Sequence, residues 1–209
     1  NVEDELVKQV AEKAISETKA YETPNFFIEN DTTFLDFQYS QMALQIFGRH
    51  NLLNLAGAKL VCEALGITET QFYEAIQHFK GAARRLELID KNETCSVYKD
   101  FAHAPSKVKA TTEAMNLISN DRKLLACLEL HTYSSLNKDF LPQYKSSLDA
   151  ADEAIVFFNR HTFEIKKLPL LEKEEVAKYF SHPNLRVFTD NTALTAHLEL
   201  SLIHISEPT

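Results

Sequence analysis

The chain has 209 residues, 44% of them apolar and 25% charged, a globular composition that excludes a disordered or collagen-like polymer. Thirty acidic residues against 22 basic ones give a formal net charge of −8, which argues against the basic face of a nucleic-acid binder. No run approaches the roughly 18 consecutive apolar residues of a membrane span, so neither nucleic acid nor membrane is expected as a partner. The four glycines, Gly48, Gly57, Gly66 and Gly81, are too few and too scattered for a G-x-G-x-x-G or G-x-x-x-x-G-K-[ST] phosphate loop. Cys62, Cys95 and Cys127 form no C-x-x-C pair, which predicts three reduced thiols in the core of a cytoplasmic protein. The acidic start, Asn1-Val2-Glu3-Asp4-Glu5, lacks a signal-peptide pattern and reads as a point within a longer chain.

Leu6, Val7, Val10, Ala11, Ala14 and Ile15 recur at helical spacing and predict an amphipathic helix over residues 3–18. After Thr23-Pro24-Asn25, aromatic and β-branched residues at 26–28 and 33–39 flank the polar turn Glu29-Asn30-Asp31, and residues 41–47 read as a third short strand. An apolar helix runs over 51–65 and stops at Gly66. Thr68, with Gln71 three residues on, predicts a capping box for a helix reaching about Phe79. Beyond Gly81 strands at 94–101, 124–130, 153–158 and 185–189 alternate with helices near 105–118, 139–150, 172–180 and 191–199. That rhythm predicts an α/β, Rossmann-like domain with a mostly parallel sheet, whose ligand site lies at the carboxyl ends of the strands. The expected organisation is residues 1–82, residues 83–200, and a tail at 201–209 that breaks the pattern and reads as foreign to the natural chain.

Four clusters could carry chemistry. His50-Asn51-x-x-Asn54 follows Gly48, and its two amides share one helix face, where they could meet an adenine edge or merely cap the helix. Arg84-Arg85, near Glu87, could clamp a phosphate or form a solvated linker pair. In Asp100-Phe101-Ala102-His103-Ala104-Pro105-Ser106-Lys107 a strand ends in a carboxylate, and Pro105 opens a helix. Asp100 could accept from ribose hydroxyls, serve a metal, or simply brace the turn. His131, Tyr133 and Ser134 follow a strand and could bind a polar substrate, or could form an ordinary connection. His78, His161, His182 and His197 show no metal-ligand spacing.

Taken together, H-N-x-x-N, then F-x-G-x-x-R-R, then D-F-A-H-x-P resembles the Mur ligase family, ATP-dependent enzymes of peptidoglycan synthesis, over roughly residues 33–200. The resemblance implies the end of a central ATP-binding domain at 1–82 and a C-terminal Rossmann-like domain at 83–200. It implies cofactor contacts from His50, Asn51, Asn54, Arg84, Arg85 and Asp100, and catalytic roles for Arg85, His103 and Lys107. Acceptor contacts would come from His131, Tyr133 and Ser134. ATP and Mg²⁺ would be the cofactors, with metal ligands mostly outside this chain, and UDP-N-acetylmuramate and an amino-acid or peptide acceptor the substrates. D-F-A-H-A-P, and Thr132 where the alanine-adding member has arginine, resemble the murein peptide ligases, which attach L-Ala-γ-D-Glu-meso-diaminopimelate. The alternatives are the L-alanine ligase itself and a non-catalytic nucleotide-binding module.

Overall fold

A computed structural model describes residues 1–37, 40–119 and 122–205, and the chain divides into two units, Asn1–Gly81 and Ala82–Thr209. In the first unit Asp4 caps α1 (Glu5–Glu12), its carboxylate accepting from the Leu6 and Val7 amides. The helix is shorter than its apolar spacing suggests. Nothing in the described structure covers its apolar face: Leu6 and Val10 are 73% and 70% exposed, and without packing a short helix has little to hold a further turn.

Strands β1 (Phe26–Glu29), β2 (Thr32–Phe37) and β3 (Ser40–Leu44) form an antiparallel sheet in that order. Asn30 and Asp31 take φ of 48° and 60°, the left-handed pair that suits the twist of a two-residue hairpin. The third strand ends at Leu44, before the expected residue 47, and residues 38 and 39 lie outside the described ones. Leu35, Met42, Leu44 and Ile46 pack on Leu52 and Leu55 of α2 (Arg49–Ala64) and on Phe72 and Tyr73 of α3 (Glu69–Ile76). Gly66, at φ 86°, ends α2: its amide donates to the Glu63 carbonyl and that of Ile67 to Cys62, satisfying two terminal acceptors. The capping box at Thr68 and Gln71 is present as expected, while α3 stops at Ile76, short of Phe79.

In the second unit β6 (Leu125–Glu129), β7 (Glu153–Phe157) and β8 (Leu185–Phe188) form the parallel sheet, with β7 in the centre. Ala154, Ile155, Val156 and Phe157 of β7 are all buried, as a strand covered on both faces requires. Around the sheet lie α4 (Pro105–Ser119), α5 (Arg160–Lys166), α6 (Lys173–Phe180) and α7 (Asn191–Ile205). The core joins Val108, Leu128, Leu130, Leu136, Val156 and Phe158 with Tyr144, Phe163, Val176 and Phe180. The α/β, Rossmann-like expectation holds.

Four details differ. The strand expected at 94–101 does not join the parallel sheet. As β5 (Ser96–Lys99) it pairs antiparallel with β4 (Glu87–Lys91), an element the sequence did not reveal because every residue of ELIDK is exposed. Asn92 favours this local pairing, since its side-chain oxygen accepts from the Thr94 and Cys95 amides and closes the turn. The helix expected at 139–150 is a single 3₁₀ turn, Leu141–Tyr144. Helix α5 was not anticipated. Finally, α7 runs through residue 205, into the segment read as a foreign tail, while residues 206–209 lie outside the described ones.

The gap between β5 and β6 is a cavity of about 400 Å³ lined by residues of both strands, by α4 and by Leu198. Cys127 opens onto this cavity and is not enclosed in the core as expected; Cys62 and Cys95 are half-buried, and all three thiols are free. The apolar surroundings push the Cys127 thiol up from its ordinary pKa, and the Glu129 charge adds to the effect. Among the described residues no helix is long and apolar enough to cross a membrane.

Candidate functional site

In the first unit the site residues sit at the start of α2. Gly48, at φ 89°, lets β3 turn sharply into the helix, and no side chain caps that end. The Asn51 side chain donates to the Phe47 carbonyl at 2.9 Å, so its NH₂ braces the turn while its oxygen remains an acceptor. His50 is half-buried, and Asn54 is exposed further along the helix. Asn51 and Asn54 together still offer the donor and acceptor that an adenine edge requires.

In the second unit the loops after β5 and β6 converge. Asp100 is committed on both oxygens: Oδ1 accepts from the Phe101 amide at 2.7 Å and Oδ2 from the Thr111 hydroxyl at 2.5 Å. This ties the strand end to α4 and fixes the carboxylate, leaving each oxygen a second lone pair for a ribose hydroxyl. Arg84 adopts φ 59°; its amide donates to Glu87 and its carbonyl accepts from Phe101. The Arg–Glu contact is thus made by the backbone, and the Arg85 guanidinium lies 6.0 Å from the centroid of the Phe101 ring. Lys107 is exposed in the first turn of α4, which contains no acidic residue. A cation there works against the helix dipole, a placement that an anionic ligand would relieve.

The rings of Phe101, His103 and His131 form a triangle, with centroids 5.1 Å (Phe101–His103), 6.5 Å (Phe101–His131) and 6.4 Å (His103–His131) apart. The loop carrying His131 is locked by a reciprocal pair: the Thr132 amide donates to Ser135 Oγ at 3.0 Å, and the Ser135 amide to Thr132 Oγ1 at 3.1 Å. Ser134 Oγ lies 3.2 Å from Thr132 Oγ1, and the exposed Tyr133 ring stands under Lys166 Nζ at 4.0 Å. Tyr144, fully buried, donates its hydroxyl to the His103 carbonyl at 2.5 Å. Burial pushes its pKa up to about 12.

Arg84, Arg85, Asp100, His103, Lys107, His131, Tyr133 and Ser134 therefore all belong to the second unit, and His50, Asn51 and Asn54 to the first. Sequence reasoning missed Thr111, Tyr144 and Lys166. The sequence carries no signal for them, because their partners lie 11, 41 and 33 positions away (Asp100, His103 and Tyr133). The amides of the first unit have the chemistry of an adenine partner, and Arg85 and Lys107 of the second have that of an anion partner. Among the described residues no group of three or more His, Cys, Asp or Glu is placed to hold a metal ion.

The fold recurs in solved structures of other proteins. Solved structures that share it include folylpolyglutamate synthase from Mycobacterium tuberculosis complexed with ADP and AMPPCP, with a TM-score of 0.62 at 18% identity over 89% of this chain and 42% of that one. A murein peptide ligase from Psychrobacter arcticus gives 0.51 at 21% identity over 81% and 36%. No family model matches the chain. Its sequence relatives are more particular. It is 36% identical over 122 residues to UDP-N-acetylmuramate–L-alanine ligase of Paenarthrobacter aurescens, covering 58% of this chain and 26% of that protein. The enzyme of the same name from Desulfitobacterium hafniense is 33% identical over 113 residues, covering 54% and 25%. The chain is similar in sequence to these two ligases and spans about a quarter of the length of these curated relatives.

Proposed function

We propose that this chain is the C-terminal part of a cytoplasmic ATP-dependent ligase that joins an amine acceptor to UDP-N-acetylmuramate, its first unit ending a central ATP-binding domain and its second forming the C-terminal domain. The observation that carries this reading is that Phe101 brings together the Arg85 guanidinium and the His103 and His131 rings, in a chain homologous to such ligases.

When bound, ATP supplies a phosphoryl group that activates the muramyl carboxylate for attack by an amine. In the first unit His50, Asn51 and Asn54 suit an adenine edge, and in the second Asp100 suits a ribose hydroxyl. Arg84, Arg85 and Lys107 would face the phosphates, where forked guanidinium donors suit oxyanions. His103, His131, Tyr133 and Ser134 would orient the acceptor, and positioning of this kind supplies much of the rate in such reactions.

For the acceptor, D-F-A-H-A-P, and Thr132 where the alanine-adding member has arginine, resemble the murein peptide ligases. This favours L-Ala-γ-D-Glu-meso-diaminopimelate. The second reading, L-alanine, is favoured by the names of the curated relatives. The test is ADP formation by the longer reading frame containing this sequence, with UDP-N-acetylmuramate, Mg²⁺ and each acceptor. The tripeptide should give the higher kcat/KM. A preference for L-alanine would select the second reading, and no acceptor-dependent ADP would refute the ligase function. The 209-residue chain alone should release no phosphate, because it has no glycine-rich loop to cradle the phosphates.

A further inference from the structure

Lys166 differs from the charged side chains around it at the carboxyl ends of the parallel sheet. On α5, Arg160 pairs with Glu172 at 3.6 Å and His161 with Glu164 at 2.8 Å. Lys138, just past the loop that follows β6, pairs with Glu175. Lys166 is half-buried and meets no carboxylate among the described residues. Its Nζ lies instead 4.0 Å from the centroid of the Tyr133 ring. A cation from the helix after the central strand is thereby held against the loop after β6.

That loop brings no fixed charge of its own, and its polar groups are spent locally. Thr132 Oγ1 donates to Ser135 Oγ at 2.8 Å, Ser134 Oγ lies 3.2 Å from Thr132 Oγ1, and His131 Nδ1 lies 3.3 Å from the Glu129 carbonyl oxygen. The Lys166 ammonium has three N–H donors and no acceptor. A ring face attracts the charge but cannot satisfy three donors, so donors remain for an anion arriving over the loop.

We propose that Lys166 reads the charge of the acceptor: it binds a carboxylate of the incoming amine and makes the site selective for an anionic acceptor over a neutral one. This rests on the ligase reading of the same site and adds to it a residue and a rule of selection. Both acceptors considered above carry a free carboxylate, so the rule applies to either. A lysine in the last turn of α5 also suits the helix dipole. A purely structural role of that kind would affect charged and neutral acceptors alike, which separates the two roles experimentally.

Carbon NMR of the 209-residue chain labelled at lysine reads the contact directly, with Lys166→Arg assigning the Lys166 Cε signal. The probes are L-alanine and L-Ala-γ-D-Glu-meso-diaminopimelate, each beside its counterpart with every carboxylate converted to carboxamide. At least one carboxylate probe should shift the Cε signal, by less as salt is raised, and neither carboxamide should. In the longer reading frame Lys166→Met should raise KM for the carboxylate acceptor about ten-fold or more, with the larger change in KM rather than in kcat. Lys166→Arg should restore most of that loss. KM for the carboxamide acceptor should be the same with lysine or methionine at this position. No Cε shift from either carboxylate probe, equal shifts from carboxylate and carboxamide, or equal losses on both kinds of acceptor overturns the proposal. The wild-type spectra decide the matter even if the methionine variant fails to fold. A carboxylate response without ADP formation by the longer frame would refute the ligase reading alone. ADP formation with an acceptor KM indifferent to Lys166→Met would refute the role of Lys166 alone.

Discussion

Tyr144 is the side chain on which the geometry of the His103 loop most depends, and Tyr144→Phe isolates its hydroxyl. The ring would keep its stack on Phe180 at 5.1 Å and its edge contact with Phe140 at 6.0 Å, so what is lost is the hydroxyl's contact with Ser135 and its hydrogen bond to the His103 carbonyl. That bond should contribute about 0.5–1.5 kcal/mol net, and His103 is only half-buried, so water can reach the freed carbonyl. A loss of about 1 kcal/mol at neutral pH follows. The phenol also makes stability depend on pH. The unfolded chain releases this proton near pH 10, whereas in the folded protein burial holds it to about 12. The contribution is therefore complete below about pH 10 and is lost as pH rises through about 12, a fall of up to about 2–3 kcal/mol. Hydrogen exchange at the Ile155 and Val156 amides of the central strand reads this in the second unit directly. The wild-type protein should lose protection between pH 8 and 11 by more than the Phe variant does, once both are corrected for intrinsic exchange. Equal alkaline loss in the two proteins would refute the assignment of the high pKa to Tyr144.

Cys127 should react slowly with thiol reagents at neutral pH, its rate still rising with pH beyond the range of an ordinary thiol; neutral reaction as fast as a free thiol would show that the cavity does not desolvate it. Arg85→Ala in the longer reading frame should lower kcat about 10- to 150-fold with little change in folding, since the side chain is exposed, and unchanged turnover would return Arg85 to a surface role. Asp31→Gly should stabilise the first unit by up to about 1 kcal/mol, because glycine adopts the φ of 60° without strain, and a lower melting temperature would contradict the hairpin geometry.

Much of the fold was legible wherever a local rule governs it. Gly66, the Thr68–Gln71 capping box and Pro105 at a helix start act within a few residues, and the apolar run at 153–158 needs only two covered faces. Strand β5 was legible as a strand but not in its pairing: a competing partner, β4, lay five residues upstream in a wholly exposed segment. The 3₁₀ turn at 141–144 was misread as part of a longer helix because the apolar spacing of Leu141, Tyr144 and Leu148 serves burial in either conformation. At the site, the motifs pointed to Asp100, His103 and His131, but not to what fixes them. Thr111, Tyr144 and the backbone carbonyls that orient the imidazoles come from the folded chain.

The outer edge of β6 has a consequence for how the protein behaves in solution. Among the described residues β6 pairs only with β7, so the far side of Leu125–Glu129 presents backbone donors and acceptors along the cavity, with no strand bonded to them. A sheet edge of this kind is a template for another strand, and lysine or proline commonly blunts it in stable proteins. The segment LACLE contains neither. Concentrated solutions of the chain should therefore associate through this edge, and a single Cys127→Lys substitution, which places a charge on that strand, should keep them monomeric.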